Sequence, residues 1–312
     1  LATASLAFVL SLVGIERYSR RKQQNYQTAS KYNPISSYSL TRGKSFLAFL
    51  SCLLPIALGF LIPAGVLLVY ATQFYEESLS ANFLLYARNS LVLSSLSATI
   101  ATILGLFLAY GVRLSGNWVV LAATRFASIG YAIPGAVLAV GVIIPLSRAD
   151  STLNNISESV FGIPTGFLFS GTIIAITYGY LVRFLALSFG TAEAGLSKIT
   201  SNMDGAARTL GLSPTRTLIR VHFPILKGNI LTAAILVFVD TMKELPMTLI
   251  LRPFNYGTLA THVHQFASDE LLEESALGAL AIVAAGILPV ILLSATIRNT
   301  RPRHYSEERI RL

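Results

Sequence analysis

The chain has 312 residues, of which 53% are hydrophobic and 12% charged, with a formal net charge of +9. Soluble domains carry about 25% charged residues, so the composition excludes a water-soluble globular protein and reads as an all-α, polytopic membrane protein. The excess of basic residues needs no nucleic acid, because Lys and Arg collect in cytoplasmic loops, and the single cysteine, Cys52, excludes an internal disulfide or a cysteine metal cage.

Residues 1–15 are apolar but shorter than the roughly 20 residues a span requires. They read as the remnant of a preceding transmembrane helix. Residues 16–45 carry Arg17, Arg20, Arg21, Lys22, Lys31, Arg42 and Lys44 and are expected to form a basic cytoplasmic linker. The linker ends in YSLTRGKS, which half matches a phosphate-binding loop. Tyr38 stands at the first glycine and an apolar span follows, so the match is rejected. ATP hydrolysis, where it drives this protein, then belongs to a partner.

Six spans are predicted, over 46–70, 89–112, 128–146, 167–190, 228–251 and 275–297. They make one domain, 46–297, followed by a cytoplasmic tail, 298–312. In the second span Ser97, Ala101, Gly105 and Ala109 recur every fourth residue, a small-residue stripe that admits a neighbouring helix closely. Tyr131-Ala132-Ile133-Pro134-Gly135 weakens the third. Arg183 is expected to snorkel from the basic-side end of the fourth. Loops 16–45, 113–127, 191–227 and 298–312 are basic, whereas 71–88, 147–166 and 252–274 are acidic or near neutral. That alternation puts the basic set in the cytoplasm.

The loop 191–227 holds the most structured polar stretch, SNMDGAARTLGLSPTRTLIRVHFP (201–224). Ser201 and Asp204 have capping-box spacing, so a helix is expected to start there. Gly211 can end it in the left-handed conformation. Ser213 and Pro214 then start a second short helix, which Pro224 is expected to interrupt.

The fifth span contains Asp240, Lys243 and Glu244 about halfway along. An ionised side chain at the bilayer centre costs at least about 2.5–3.5 kcal/mol, so these residues should face protein or water. Their spacing sets Asp240 beside both Lys243 and Glu244 on one helix face, and Pro246 predicts a kink near Met242. Two readings stay open, a polar lining of a translocation path and an ion pair locking the span to a neighbour. His262 and His264, on an outer loop, lack a third ligand nearby and read as surface or docking residues. No metal site, cofactor or catalytic constellation is expected.

Gly205-Ala206-Ala207, three residues, Gly211, nine residues, then Val221-His222-Phe223-Pro224 resembles the EAA loop of type I ABC-importer permeases. That loop reads Glu-Ala-Ala, three residues, Gly, nine residues, Ile-x-Leu-Pro; here Gly205 stands where Glu is usual, beside Asp204. Met242-Lys243-Glu244-Leu245-Pro246, Leu251-Arg252-Pro253-Phe254, Thr258-Leu259-Ala260 and Tyr131 to Gly135 are similar to the ferric-iron branch. The likeness covers residues 46–300 and matches the C-terminal half of such permeases. It implies a six-helix permease bundle with cytoplasmic coupling helices, in a bacterial plasma membrane (the inner membrane if Gram-negative). It also implies that Asp204, Gly205, Ala206, Ala207, Gly211, Pro214, Val221 and Pro224 form the surface for an ATP-binding subunit. A substrate-binding protein, a second permease half or subunit and membrane lipid complete the implied partners, and the chain itself is not an enzyme. The rival readings are a permease for thiamine or an inorganic anion, a secondary transporter or channel relaying ions through Asp240, Lys243 and Glu244, and a membrane scaffold without transport.

Overall fold

A computed structural model describes residues 11, 15, 40–79 and 82–300. The expectations for 1–15, 16–39 and 301–312 therefore lie outside the described residues, Ser11 and Ile15 apart. No strand occurs among the described residues, and six helices there are long and apolar enough to cross a membrane. In chain order the elements are α1 (Arg42–Gln73), α2 (Phe83–Ser115), α3 (Trp118–Ala132), α4 (Gly135–Phe161), α5 (Ile173–Leu196), α6 (Ser201–Thr209), α7 (Pro214–Met242), α8 (Pro246–Leu251), α9 (Leu259–Ser268) and α10 (Leu272–Thr300). The third helix ends in a 3-10 turn, Ser128–Ala132.

The centre of the bundle is α2, α5 and α7, packed on one another. Their buried faces join Leu93, Ala98 and Ala101 to Ile176, Tyr180, Phe184 and Val237. The small-residue stripe makes this approach possible: Ser97, Ala101, Gly105 and Ala109 are all buried. A Cβ at Gly105 would collide with the backbone of Ser188 and Phe189. By contrast α1 is apolar all round, and none of its most hydrophobic stretch is buried. That is the pattern of a helix facing lipid or another chain. Pro55 lies inside it, and a π turn at Ala57–Leu61 follows directly; such turns are where a helix absorbs a disrupted hydrogen-bond ladder.

Four sequence boundaries are corrected. The third span runs Gly135–Phe161 instead of 128–146, because the chain breaks at Ile133-Pro134 and the polar run after Leu146 stays helical. The reason is tertiary. Asp150, Asn154 and Ser157 share one helix face and hold the returning chain. Ser157 donates to the Ile163 carbonyl at 2.8 Å, and the Asn154 side-chain oxygen accepts from Thr165 and Gly166 at 2.9 and 3.2 Å. Buried Asp150 accepts from the backbone N–H groups of Leu168, Phe169 and Ser170 at 3.0, 2.9 and 2.7 Å, and from the Ser170 hydroxyl. The fourth span consequently starts at Ile173 and extends to Leu196. The fifth is one helix from Pro214 to Met242, followed by a break at 243–245 and the short α8. Finally, the loop expected at 252–274 contains α9, started by a Thr258–Thr261 capping box.

A prediction follows for the clamp on α4. Asp150→Ala leaves several backbone donors unsatisfied at about 1–3 kcal/mol each. Amide exchange at residues 168–170 should accelerate strongly while α2, α5 and α7 keep their protection. Unchanged exchange there would remove Asp150 from this role.

Candidate functional site

Two regions concentrate the polar chemistry, the hairpin of α6 with the start of α7 and a layer at mid-bundle. In the hairpin, α6 begins after Thr200, and no side chain caps it. The expected capping box is absent because Asp204 is drawn elsewhere. Its Oδ2 accepts from Arg113 Nε and Nη2 at 3.1 and 2.8 Å, and its Oδ1 meets His222 Nε2 at 2.7 Å. Arg113 also donates to the Leu196 and Ile199 carbonyls at 2.7 and 2.8 Å. One guanidinium thus ties α2 to the end of α5 and to α6, and His222 adds α7. Burial pushes the Asp204 pKa up, but the hydrogen bonds from Arg113 and His222 outweigh it and hold the carboxyl below its ordinary value.

The turn is closed by Gly211 at φ +76°, with the Leu212 N–H reaching back to the Ala207 carbonyl at 3.0 Å. Ser213 caps the second helix through the Arg216 N–H, and Tyr110 donates to the Pro214 carbonyl at 2.7 Å. Pro224 does not interrupt this helix, contrary to the expectation. Proline clashes with the carbonyl four residues before it in a regular helix, and the π turn Leu218–His222 supplies the wider spacing. That turn also directs His222 inward, where it is buried edge-on to Tyr110.

Ala207 is buried within the chain, so it does not contribute to the exposed surface expected of it. Val221 is half-buried. The outward face carries Gly205 and Ala206 together with exposed Met203, Leu210 and Ile219. Sequence reasoning missed Arg113, His222 and this apolar outward set. Only the 203–206–210 spacing could have signalled the last.

The mid-bundle layer forms where two helix breaks meet. Tyr131 and Gly135 flank the break before α4, and the break after α7 carries Lys243 and Glu244. Asp240 and Lys243 pair at 2.8 Å, as neighbours three apart on a helix can, and Tyr131 donates to Asp240 at 3.3 Å. Glu244 does not join them. The helix ends at Met242, so Glu244 leaves that face, and its Oε2 lies 3.5 Å from Arg183 Nε. Arg183 accordingly does not snorkel; it sits in the middle of α5 and points into the bundle. Lys243 is 64% exposed and Glu244 8%, while Asp240 and Arg183 are alike at 17% and 19%, so the first pair ends outward at Lys243 and the second inward at Glu244.

His262 and His264 also differ from the expectation. Both lie on α9, not on a loop. His262 is buried among Phe83, Tyr86 and Phe266, which is core packing and not surface, while His264 is exposed. Among the described residues, no group of three or more His, Cys, Asp or Glu side chains could hold a metal ion.

Six membrane-length helices, a short polar hairpin bolted to the three core helices and a polar layer at the helix breaks define a membrane transport permease. Residues 101–303 match the family model described as the binding-protein-dependent transport system inner membrane component. The chain belongs to that family and is a multi-pass inner membrane protein. It is 24% identical over 299 residues to the Fe(3+)-transport system permease protein FbpB 2 of Haemophilus influenzae, covering 94% of this chain and 56% of that relative. It is 22% identical over 265 residues to PhnV of Salmonella typhimurium, a permease protein named for 2-aminoethylphosphonate transport, covering 81% of this chain and 94% of the relative. A bacterial ABC transporter involved in alginate import has the same fold, with a TM-score of 0.65 at 14% identity over 83% of this chain and 96% of that one. The MetNI methionine ABC transporter, in an inward-facing conformation, gives a TM-score of 0.52 at 16% identity, over 72% of this chain and all of that one (100%).

Proposed function

We propose that this chain is one transmembrane half of an ABC importer for ferric iron. A substrate-binding protein delivers cargo at the end where α4 meets α5. An ATP-binding subunit docks on the exposed face of α6, and a second permease half or subunit completes the path. The observation that carries this reading is the hairpin: its outer face is apolar and small, and its inner face is tied through Asp204 to α2, α5 and α7. A push on α6 therefore reaches three helices at once. Support for iron comes from the Haemophilus relative's name and the motifs around Lys243 and Arg252; the Salmonella relative's name makes an organophosphonate the competitor. Lys243 and Tyr131 are exposed at mid-bundle, where a charge cannot face lipid without a cost of about 2.5–3.5 kcal/mol, which favours path lining for the Asp240–Lys243 pair.

The test is reconstitution of the permease with its ATP-binding and substrate-binding partners in vesicles. ATP-dependent uptake of ferric iron, and not of 2-aminoethylphosphonate, is expected. Uptake that runs on a proton gradient without the ATPase would replace the importer with a secondary transporter.

Sidedness is checked separately. With Cys52 first changed to Ser, a cysteine at Asn155 or Asp269 should react with an impermeant thiol reagent from outside. One at Leu212 should react only after the membrane is opened. Outside labelling at Leu212 would remove the hairpin from the reach of any cytoplasmic ATPase.

A further inference from the structure

We propose that Arg183 and Glu244 form a latch that sets the mid-membrane joint between α7 and α8, and through it closes the translocation path. The inference rests on the permease reading above and assigns positioning roles to two residues behind the path-facing pair.

The pair is poorly made. Arg183 Nε is 3.5 Å from Glu244 Oε2, and neither Nε nor Nη1 of Arg183 has a hydrogen-bond partner although both atoms are buried. Glu244 Oε1 has one long contact, 3.4 Å from the Met247 N–H. A buried ion pair is weak as a source of stability, and well-packed apolar residues are often as good or better. One left partly unsatisfied in a membrane core adds little beyond holding two elements in register. Glu244 lies in the break between α7 and α8, outside both helices, with its N–H on the Thr241 carbonyl at 3.1 Å and its own carbonyl accepting from the Thr248 hydroxyl, which also meets Tyr180 of α5. Arg183 lies on the continuous α5, within the packed core. Both charged groups abut the start of α4, since any side chain at Gly135 would collide with the Arg183 guanidinium and the Glu244 carboxylate. The pair therefore gathers both helix breaks onto one rigid helix.

The consequence falls on Lys243, the neighbour of Glu244. With the latch closed, the joint holds Lys243 against Asp240 and beside Tyr131. With it open, the joint loses its only charged tie to α5 among the described residues, and the Lys243–Asp240 pair can swing with it. Arg183 acts through Glu244, so both are positioning residues and neither needs to touch cargo.

The experiment uses the whole transporter in vesicles and reads two quantities, leak of trapped potassium and chloride without ATP and uptake with ATP. Glu244→Gln should raise the ATP-independent leak by about tenfold or more, the size of shift expected when one state of a two-state element loses its differential contact. The exchanged pair, Arg183→Glu with Glu244→Arg, should bring the leak back near the wild-type value. Normal assembly of Glu244→Gln with no added leak would overturn the latch. Should that variant fail to assemble, Arg183→Cys with Glu244→Cys in the Cys52→Ser background decides the matter. Joining the two thiols with a short reducible cross-linker should abolish uptake, and a reductant should restore it; uptake unaffected by the link overturns the proposal. A wild-type complex that imports no ferric iron would count against the import reading alone, because the leak still reports on the latch.

Discussion

Arg113→Met is expected to abolish most ATP-driven uptake while the protein still inserts at normal levels. Arg113 supplies two charge-assisted bonds to Asp204 and two more to the carbonyls of Leu196 and Ile199. Bonds of this type contribute about 1.5–3 kcal/mol each, and removing one member of a partly buried pair also strands the other. The side chains are about one-fifth exposed, which places the loss at the lower end of those ranges. Membrane insertion depends on the apolar spans, which the change leaves intact. What fails is the rigid link, so hydrolysis should continue on a bound ATPase without productive movement of α2 and α7. Ala206→Arg makes the contrast. That residue is exposed on the outward face, so the variant should lose retention of the ATPase on the solubilised permease while keeping the anchor. Normal uptake in Arg113→Met would reduce the Asp204 cluster to local packing.

The same anchor has a pH signature. The Asp204 pKa is depressed in the folded protein, so its contribution is fully present above the ordinary carboxylate value and is lost as pH falls through the lower folded value. Coupling through this group should hold on acidification to about pH 4, and protection of α6 from exchange should fall only below it.

Lys243→Met is expected to be the more damaging single change in the outward pair. It leaves Asp240, 17% exposed, with only the Tyr131 hydroxyl for company. An uncompensated charge at this depth costs at least about 2.5–3.5 kcal/mol, enough to lower the folded amount in the membrane severalfold. Asp240→Asn strands Lys243 instead, which is 64% exposed and can reach a wet path. Its expression should survive and its uptake fall. The double variant should recover the folded amount without recovering uptake, because charge balance and path lining are separable. Recovery of both in the double variant would make the pair a structural lock. Full expression and uptake in both singles would leave it with neither role.

Residue order alone determined the parts of this protein that depend on neighbours in the chain. Long apolar runs give the spans, because a backbone in lipid must satisfy its own hydrogen bonds. The four-residue recurrence from Ser97 to Ala109 marked the face on which α5 closes. Gly211 and Ser213-Pro214 marked the turn of the hairpin, because positive φ and a helix start have local residue preferences. Tertiary structure decided whatever depended on a distant partner. Asp204 had the spacing of a cap and instead serves Arg113, 91 residues away. The polar run after Leu146 looked like a loop and is helix, because its Asp, Asn and Ser side chains are consumed by the returning chain. Glu244 looked like a member of the Asp240 cluster until the helix ended two residues before it and turned it towards Arg183. A break frees backbone groups wherever proline sits, but where the chain turns next depends on which buried partner satisfies it, and no local pattern encodes that choice.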